Sequence, residues 1–277
     1  MHTVREAAMS TSSSVRDLVH TARVILCCGT GGVGKTTTAA ALGLAAAQAG
    51  RRTAVITVDP ARRLANALGL QQLSNTPQAI TGWDDGTAVP GGSLDALMLD
   101  AKATFDRLVE REARSPEQAQ RILDNIVYRN LSSALGGTQE YMAVEKLYDL
   151  VHDDHYDLVI VDTPPTRHAL DVLHAPGRLI RLLDNTLFQA LTLPARTPLR
   201  FLGSALQSGV RAIARVVGAE VVDDAVAFFQ AFEGMETGFR ERARAVESLL
   251  AERTTAFVLV TTLQRDALTE SAFFANR

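Results

Sequence analysis

Apolar residues along this chain fall into two kinds of run. Short aliphatic runs occupy Val24–Cys28, Thr53–Val58, Leu94–Asp100, Tyr156–Asp162 and Phe257–Thr262. Runs of this length, rich in β-branched residues and lacking polar alternation, predict strands buried on both faces. Between them lie longer stretches with helical spacing. Thr38 to Gln48 is alanine-rich and ends before Gly50, which predicts a helix with a glycine stop. Ala101 to about His152 carries Phe105, Leu108 and Val109, then Ile122, Ile126 and Val127, a helical pattern divided at Gly136-Gly137. Arg167 to about Glu252 predicts more helix, broken near Pro194 and Pro198. The Gly-, Pro- and Asp-rich stretch Asn75–Ser93 predicts an exposed loop. Strands alternating with helices in this way predict an α/β fold. It has a mainly parallel sheet, helices on both faces and a helical subdomain from about 101–152 and 175–252.

Composition narrows the class. The chain has 277 residues, 47% of them hydrophobic, enough for one large domain or two small ones. A net charge of −3 gives no global basic field, so no nucleic-acid partner is expected. The two cysteines are neighbours, Cys27 and Cys28, on one predicted strand. Their side chains point to opposite faces, which suits burial and not metal ligation. The lack of a disulfide framework fits a reducing, cytoplasmic setting. No apolar run is long enough to span a bilayer. The Ser/Thr-rich start places residues 1–20 as a disordered tail before a domain over 21–277.

The chemistry is concentrated at Gly29-Thr30-Gly31-Gly32-Val33-Gly34-Lys35-Thr36-Thr37. Gly29, Gly34, Lys35 and Thr36 satisfy G-x-x-x-x-G-K-[ST], between a predicted strand and a predicted helix, as in a P-loop NTPase. Glycines let backbone N–H groups close around a phosphate, and the helix start adds its positive dipole end. Lys35 is placed to reach the β- and γ-phosphates of ATP, and the Thr36 hydroxyl to ligate Mg²⁺. Leu158-Val159-Ile160-Val161-Asp162 is an apolar strand ending in a carboxylate, the Walker B arrangement, with Asp162 meeting Mg²⁺ directly or through water. Thr163-Pro164-Pro165-Thr166 then forms a rigid turn suited to sensing a γ-phosphate. Asp59 ends the second strand, at the sheet edge where ligands bind. It is a candidate to orient attacking water, and equally the cap of a helix from Ala61 to Leu68; the two roles are compatible.

The segment Gly31–Thr37 resembles the deviant Walker A loop of dimeric ATPases such as ParA, MinD and the arsenical-pump ATPases. Two further segments narrow the likeness. Thr57-Val58-Asp59-Pro60-Ala61 resembles the arsenical-pump version of the second strand end. Asp162-Thr163-Pro164-Pro165-Thr166-Arg167-His168-Ala169-Leu170 resembles that family's Asp-Thr-Ala-Pro-Thr-Gly-His-Thr-Leu, keeping Asp162, Thr166, His168 and Leu170 and departing at Pro164, Arg167 and Ala169. Gly137-Thr138-Gln139-Glu140 is similar to its Pro-Gly-x-Asp-Glu segment, departing at Gly136 and Gln139. From about Arg23 onward the chain resembles the arsenical-pump and tail-anchored-protein-targeting ATPases, in particular an actinobacterial subgroup described as anion-transporting ATPases. The resemblance implies ATP and Mg²⁺ as cofactors, Asp59 polarising the hydrolytic water, Asp162 helping to hold Mg²⁺, and Thr37 contacting the α-phosphate. It also implies a homodimer, or a heterodimer with a paralogous ATPase. Family members extend further, which implies that this chain is truncated at its C-terminus.

One departure changes the expected activity. The family's signature lysine follows the first loop glycine and crosses to the partner's phosphates; here that position is Thr30. The resemblance therefore implies either an ATPase that couples hydrolysis to dimer opening and closing, or a weakly hydrolysing regulatory subunit that pairs with a lysine-bearing paralogue. A P-loop kinase for a small molecule fits the switch segments less well. Arg178 to Gly218 is apolar and basic, with Arg178, Arg181, Arg196, Arg200, Arg211 and Arg215 against Asp184. Three readings stay open there: a groove for a hydrophobic client helix, a peripheral contact with an anionic membrane, and an ordinary helical subdomain.

Overall fold

The computed structural model describes residues 14–58, 63–84, 86–126, 128–129, 138–163, 166–184 and 219–275. Of these, the side chains of 138, 166–172, 219–223 and 273–274 are not described. The chain divides into two compact units. One comprises Met1–Met98, Asp149–Thr166 and Glu252–Arg277; the other comprises Leu99–Tyr148 and Arg167–Ala251.

The first unit is built on six strands: β1 (Val24–Cys28), β2 (Arg52–Thr57), β3 (Gln78–Ala79), β4 (Ser93–Met98), β5 (Leu158–Asp162) and β6 (Thr255–Leu259). They lie in the order β3-β4-β2-β5-β1-β6. Every pairing is parallel except β3 with β4. On one face pack α1 (Val15–Thr21), α2 (Lys35–Gln48) and α3 (Arg63–Ala67), around a core that includes Ile25, Val55, Leu94 and Ile160. The alternate strand residues Leu26, Ile56, Leu97 and Val161 are equally buried. Both faces of the sheet are therefore covered, which is why its strands read as unbroken aliphatic runs. The mixed α/β class expected from the sequence is the one observed.

Three local features differ from the sequence expectation. Val15–Thr21 is helical, overlapping the end of the stretch 1–20 expected as tail. Ser14 and Asp17 close a capping box, with N–H···O distances of 3.2 and 2.9 Å, and Val19 is buried. The serine that reads as linker composition is a helix cap. The expected loop Asn75–Ser93 contains β3, too short to carry a strand pattern. The last strand begins at Thr255 and ends at Leu259, because its register is fixed by pairing from Val24↔Thr255 to Cys28↔Leu259. Residues 1–13, the Gly136-Gly137 break, the Pro164-Pro165 turn and 185–218, which hold most of the basic, apolar stretch, lie outside the described residues.

The second unit is helical. It contains α4 (Ala101–Glu112), α5 (Pro116–Leu123), most of α6 (Thr138–His152) and of α7 (Thr166–Leu183), α8 (Ala219–Ala231) and α9 (Glu236–Ala251). A further helix, α10 (Arg265–Ala275), follows β6 in the first unit. Phe105, Tyr128, Phe228, Phe232 and Phe239 form an aromatic cluster with centroid separations of 5.1 to 6.4 Å. Within the same unit, buried Glu145 accepts from Arg111 at 2.9 Å and Arg242 at 2.7 Å. Two guanidinium partners offset the desolvation of that one carboxylate.

Candidate nucleotide site

Sheet register assembles the site. The carboxyl ends of β1, β5 and β2 lie side by side, so Cys27, Asp162 and Thr57 form one row. Connections leave in opposite directions here: β1 leads through α2 to β2, while β6 lies on the other flank of β1. Such a divergence leaves a crevice at the strand ends.

The loop from Gly29 to Gly34 fills that crevice. Gly29 passes against the end of β6, where a Cβ would collide with the Val260 carbonyl oxygen. Gly34, at φ 95°, is the N-cap from which α2 starts. Of the remaining loop residues, Gly31 and Gly32 are exposed and Thr30 and Val33 half-buried. Buried Lys35 folds back over the loop, its Nζ donating to the Thr30 carbonyl at 2.8 Å. Thr37 is exposed on the first turn of α2.

Asp162 is 1% exposed, and its Oδ2 accepts from two hydroxyls, Thr36 at 2.8 Å and Thr57 at 3.0 Å. The loop and the β5 carboxylate, inferred separately from the sequence, therefore meet. Thr163 next to it donates its hydroxyl to the Cys27 carbonyl at 2.8 Å, tying the end of β5 to β1. Sequence reasoning placed Thr163 in a switch turn and Thr57 at a family-like strand end, but gave neither hydroxyl a partner. A threonine in a β-branched strand looks like any other strand residue, and the register that makes Thr57 a neighbour of Asp162 is not visible along the chain. Asp59 lies outside the described residues. Burial pushes both thiols, Cys27 and Cys28, up to about 12, with Asp162 adding to the shift at Cys27. They are inert interior groups, as their position on one strand implies. Among the described residues no cluster of three or more His, Cys, Asp or Glu side chains could hold a metal ion.

The Thr36–Asp162 pair is an all-oxygen donor set of one hydroxyl and one carboxylate, which fits a hard cation such as Mg²⁺. Backbone N–H groups at the start of α2 and the ammonium of Lys35 supply positive charge beside it. Glycine loop, lysine, threonine and strand-end aspartate on a parallel sheet define the P-loop nucleotide-binding class. The chain belongs to the anion-transporting ATPase family, whose model matches residues 22–276. Its relatives include "ATPase ASNA1 homolog 1" of Paramecium tetraurelia, 33% identical over 151 residues, which are 54% of this chain and 42% of that protein. "ATPase GET3" of Malassezia globosa is 31% identical over 160 residues, 57% of this chain and 44% of that one. A "Putative arsenical pump-driving ATPase" of Halobacterium salinarum is 30% identical over 167 residues, 57% of this chain and 24% of that one. In each case the match spans less than half the length of the relative. Among the described residues no helix is long and apolar enough to cross a membrane.

Proposed function

We propose that this chain binds ATP with Mg²⁺ in the Gly29–Thr37 loop and hydrolyses it, coupling nucleotide state to a change of conformation. The observation that carries this reading is the Thr36 hydroxyl 2.8 Å from Asp162 at the mouth of the loop. Lys35 is assigned to the β- and γ-phosphates, exchanging its bond to the Thr30 carbonyl for phosphate oxygens. Thr36 and Asp162 are assigned to hold Mg²⁺, which supplies charge neutralisation at the phosphates. Thr57 holds Asp162 in place. Asp59 is assigned to orient the attacking water. Its support is positional: the backbone N–H of Val58, one residue before it, donates to the Asp162 carbonyl at 3.3 Å. The family, and a relative named for driving an arsenical pump, support anion transport as the coupled task, and the sequence resemblance adds targeting of a hydrophobic client as the other. A cytoplasmic dimer, with itself or a paralogue, is part of the same proposal.

Two variants separate binding from chemistry. Lys35→Ala should abolish ATP binding, measured with a fluorescent ATP analogue. Asp59→Asn should bind normally and lower turnover by about 10²-fold or more. Normal turnover in Asp59→Asn would remove that residue from the mechanism and leave the loop assignment standing.

Thr30 favours a second reading, a regulatory subunit with little turnover of its own. Its side chain is neutral and short, where a trans-acting cation contributes about 10³–10⁵-fold in related chemistry. Steady-state hydrolysis by the isolated chain should be slow, and Thr30→Lys should raise it. Fast hydrolysis unaffected by Thr30→Lys sinks this reading.

A further inference from the structure

The helical unit holds a cavity of its own, about 600 Å³, between α5 and the end of α8. That volume is in the range of small-molecule sites. Three features give it the character of a built site.

Its two walls are clamped together by one buried side chain. Gln118 is 7% exposed, and its Oε1 accepts from the Arg114 backbone N–H at 2.8 Å. Its Nε2 donates to the carbonyls of Ala231 at 2.8 Å and Glu233 at 3.0 Å. The two Nε2 bonds join α5 to the end of α8 and the turn after it, while the Oε1 bond holds the start of α5.

Arginine side chains line the opening from both ends of α5. The Arg114 guanidinium packs so close to Gly234 that a Cβ at that position would occupy its space. The glycine thus leaves room for the arginine to lie against the turn. Arg121 projects from the last turn of α5, its Nε donating to the Glu117 carbonyl at 3.3 Å. Among the described residues neither guanidinium has a carboxylate within ion-pair distance. Elsewhere in the same unit Arg111, Arg240 and Arg242 all do.

The lining also contains Gln230 and one carboxylate, Glu233. Two cations against one anion in the lining favour a negatively charged ligand, with the Glu117 carboxylate, beside Ser115 and Arg121, outside the lining. Planar guanidinium forks match phosphate and carboxylate oxygens, and Glu233 would accept from a ligand hydroxyl.

We propose that this cavity is a second ligand site, for a small hydroxylated organic anion whose phosphate or carboxylate group is held by Arg114 and Arg121. It is separate from the nucleotide loop in the residues it uses and does not depend on hydrolysis.

Calorimetric titration of the full chain with glycerol 3-phosphate and with malate tests this. The Lys35→Ala background removes phosphate binding at the loop. Saturable binding of either probe is expected, weakened at least about tenfold by Arg121→Gln and by Arg114→Gln. Arg121 is exposed, so its variant should melt as the parent does. Preference for glycerol 3-phosphate identifies a phosphate source, and preference for malate a carboxylate source. Absence of saturable binding by both probes overturns the site. So does binding that both folded arginine variants retain in full.

Discussion

Gly29 bears the closest approach in the nucleotide loop. Its Cα passes the Val260 carbonyl oxygen so tightly that any Cβ would overlap it, at φ 153°. Alanine there must displace either the end of β6 or the loop itself. Gly31, two residues on, has nothing within 4 Å of where a Cβ would lie. Gly29→Ala should therefore lower unfolding stability by about 1–3 kcal/mol and weaken ATP binding. Gly31→Ala should leave stability within about 0.5 kcal/mol of the parent. Urea midpoints of the two variants check this. Equal midpoints would show that the approach to Val260 exerts no restraint. The same comparison bears on site residues in general. Both positions are glycine in one glycine-rich loop, and the approach to the end of β6 shows which of them has no room for a side chain.

At the scale of elements, the site depends on how closely α2 lies on the sheet. Gly43, in the middle of α2, allows that approach: a Cβ would meet Val55 of β2 at 2.5 Å and Leu94 of β4 at 3.1 Å. Gly43→Val should force the helix outward, at a cost of about 1–3 kcal/mol. Because Lys35 and Thr36 open the same helix, ATP affinity should fall with stability, as measured by denaturation and nucleotide titration. A destabilised variant with unchanged affinity would mean that the helix start is held by the loop alone. The existence of these elements was legible in the sequence. Val24–Cys28 and Leu158–Asp162 are buried at every position, and that burial keeps both faces apolar up to the strand-end Asp162. The P-loop after β1 and Asp162 at the end of β5 could each be recognised for the same reason. Strand order could not. Nothing along the chain shows that β5 inserts between β1 and β2, and that insertion is what brings Thr57 to Asp162. The limits of β6 were also hidden. It is an edge strand with Phe257 41% exposed, so its burial pattern is weak.

At the scale of the whole molecule, the two cysteines report on the stability of the unit that holds the site. Both lie on β1, between β5 and β6, and both are buried. Alkylation requires a thiolate that the reagent can reach. In the folded state neither condition holds near pH 8, since burial pushes each thiol from 9.0 up to about 12. Labelling must then proceed through opened molecules, and its rate measures the free energy of opening. The pH dependence has a definite sign. Between pH 9 and about 12 the folded thiols keep protons that unfolded thiols lose, so stability falls as pH rises through that window. The loss amounts to roughly 1 kcal/mol per thiol per pH unit. Below pH 9 the thiols contribute no slope. A ligand that binds only the folded unit lowers the opened population by the factor 1 + [L]/Kd. ATP with Mg²⁺ at about 100 times its Kd should therefore slow labelling near pH 8 about 100-fold. Lys35→Ala should label at one rate with or without nucleotide. Quenched-flow labelling read by mass spectrometry gives both rates. Rapid labelling of the folded protein would mean that β1 opens locally. Equal protection of parent and Lys35→Ala would place the nucleotide somewhere other than the loop.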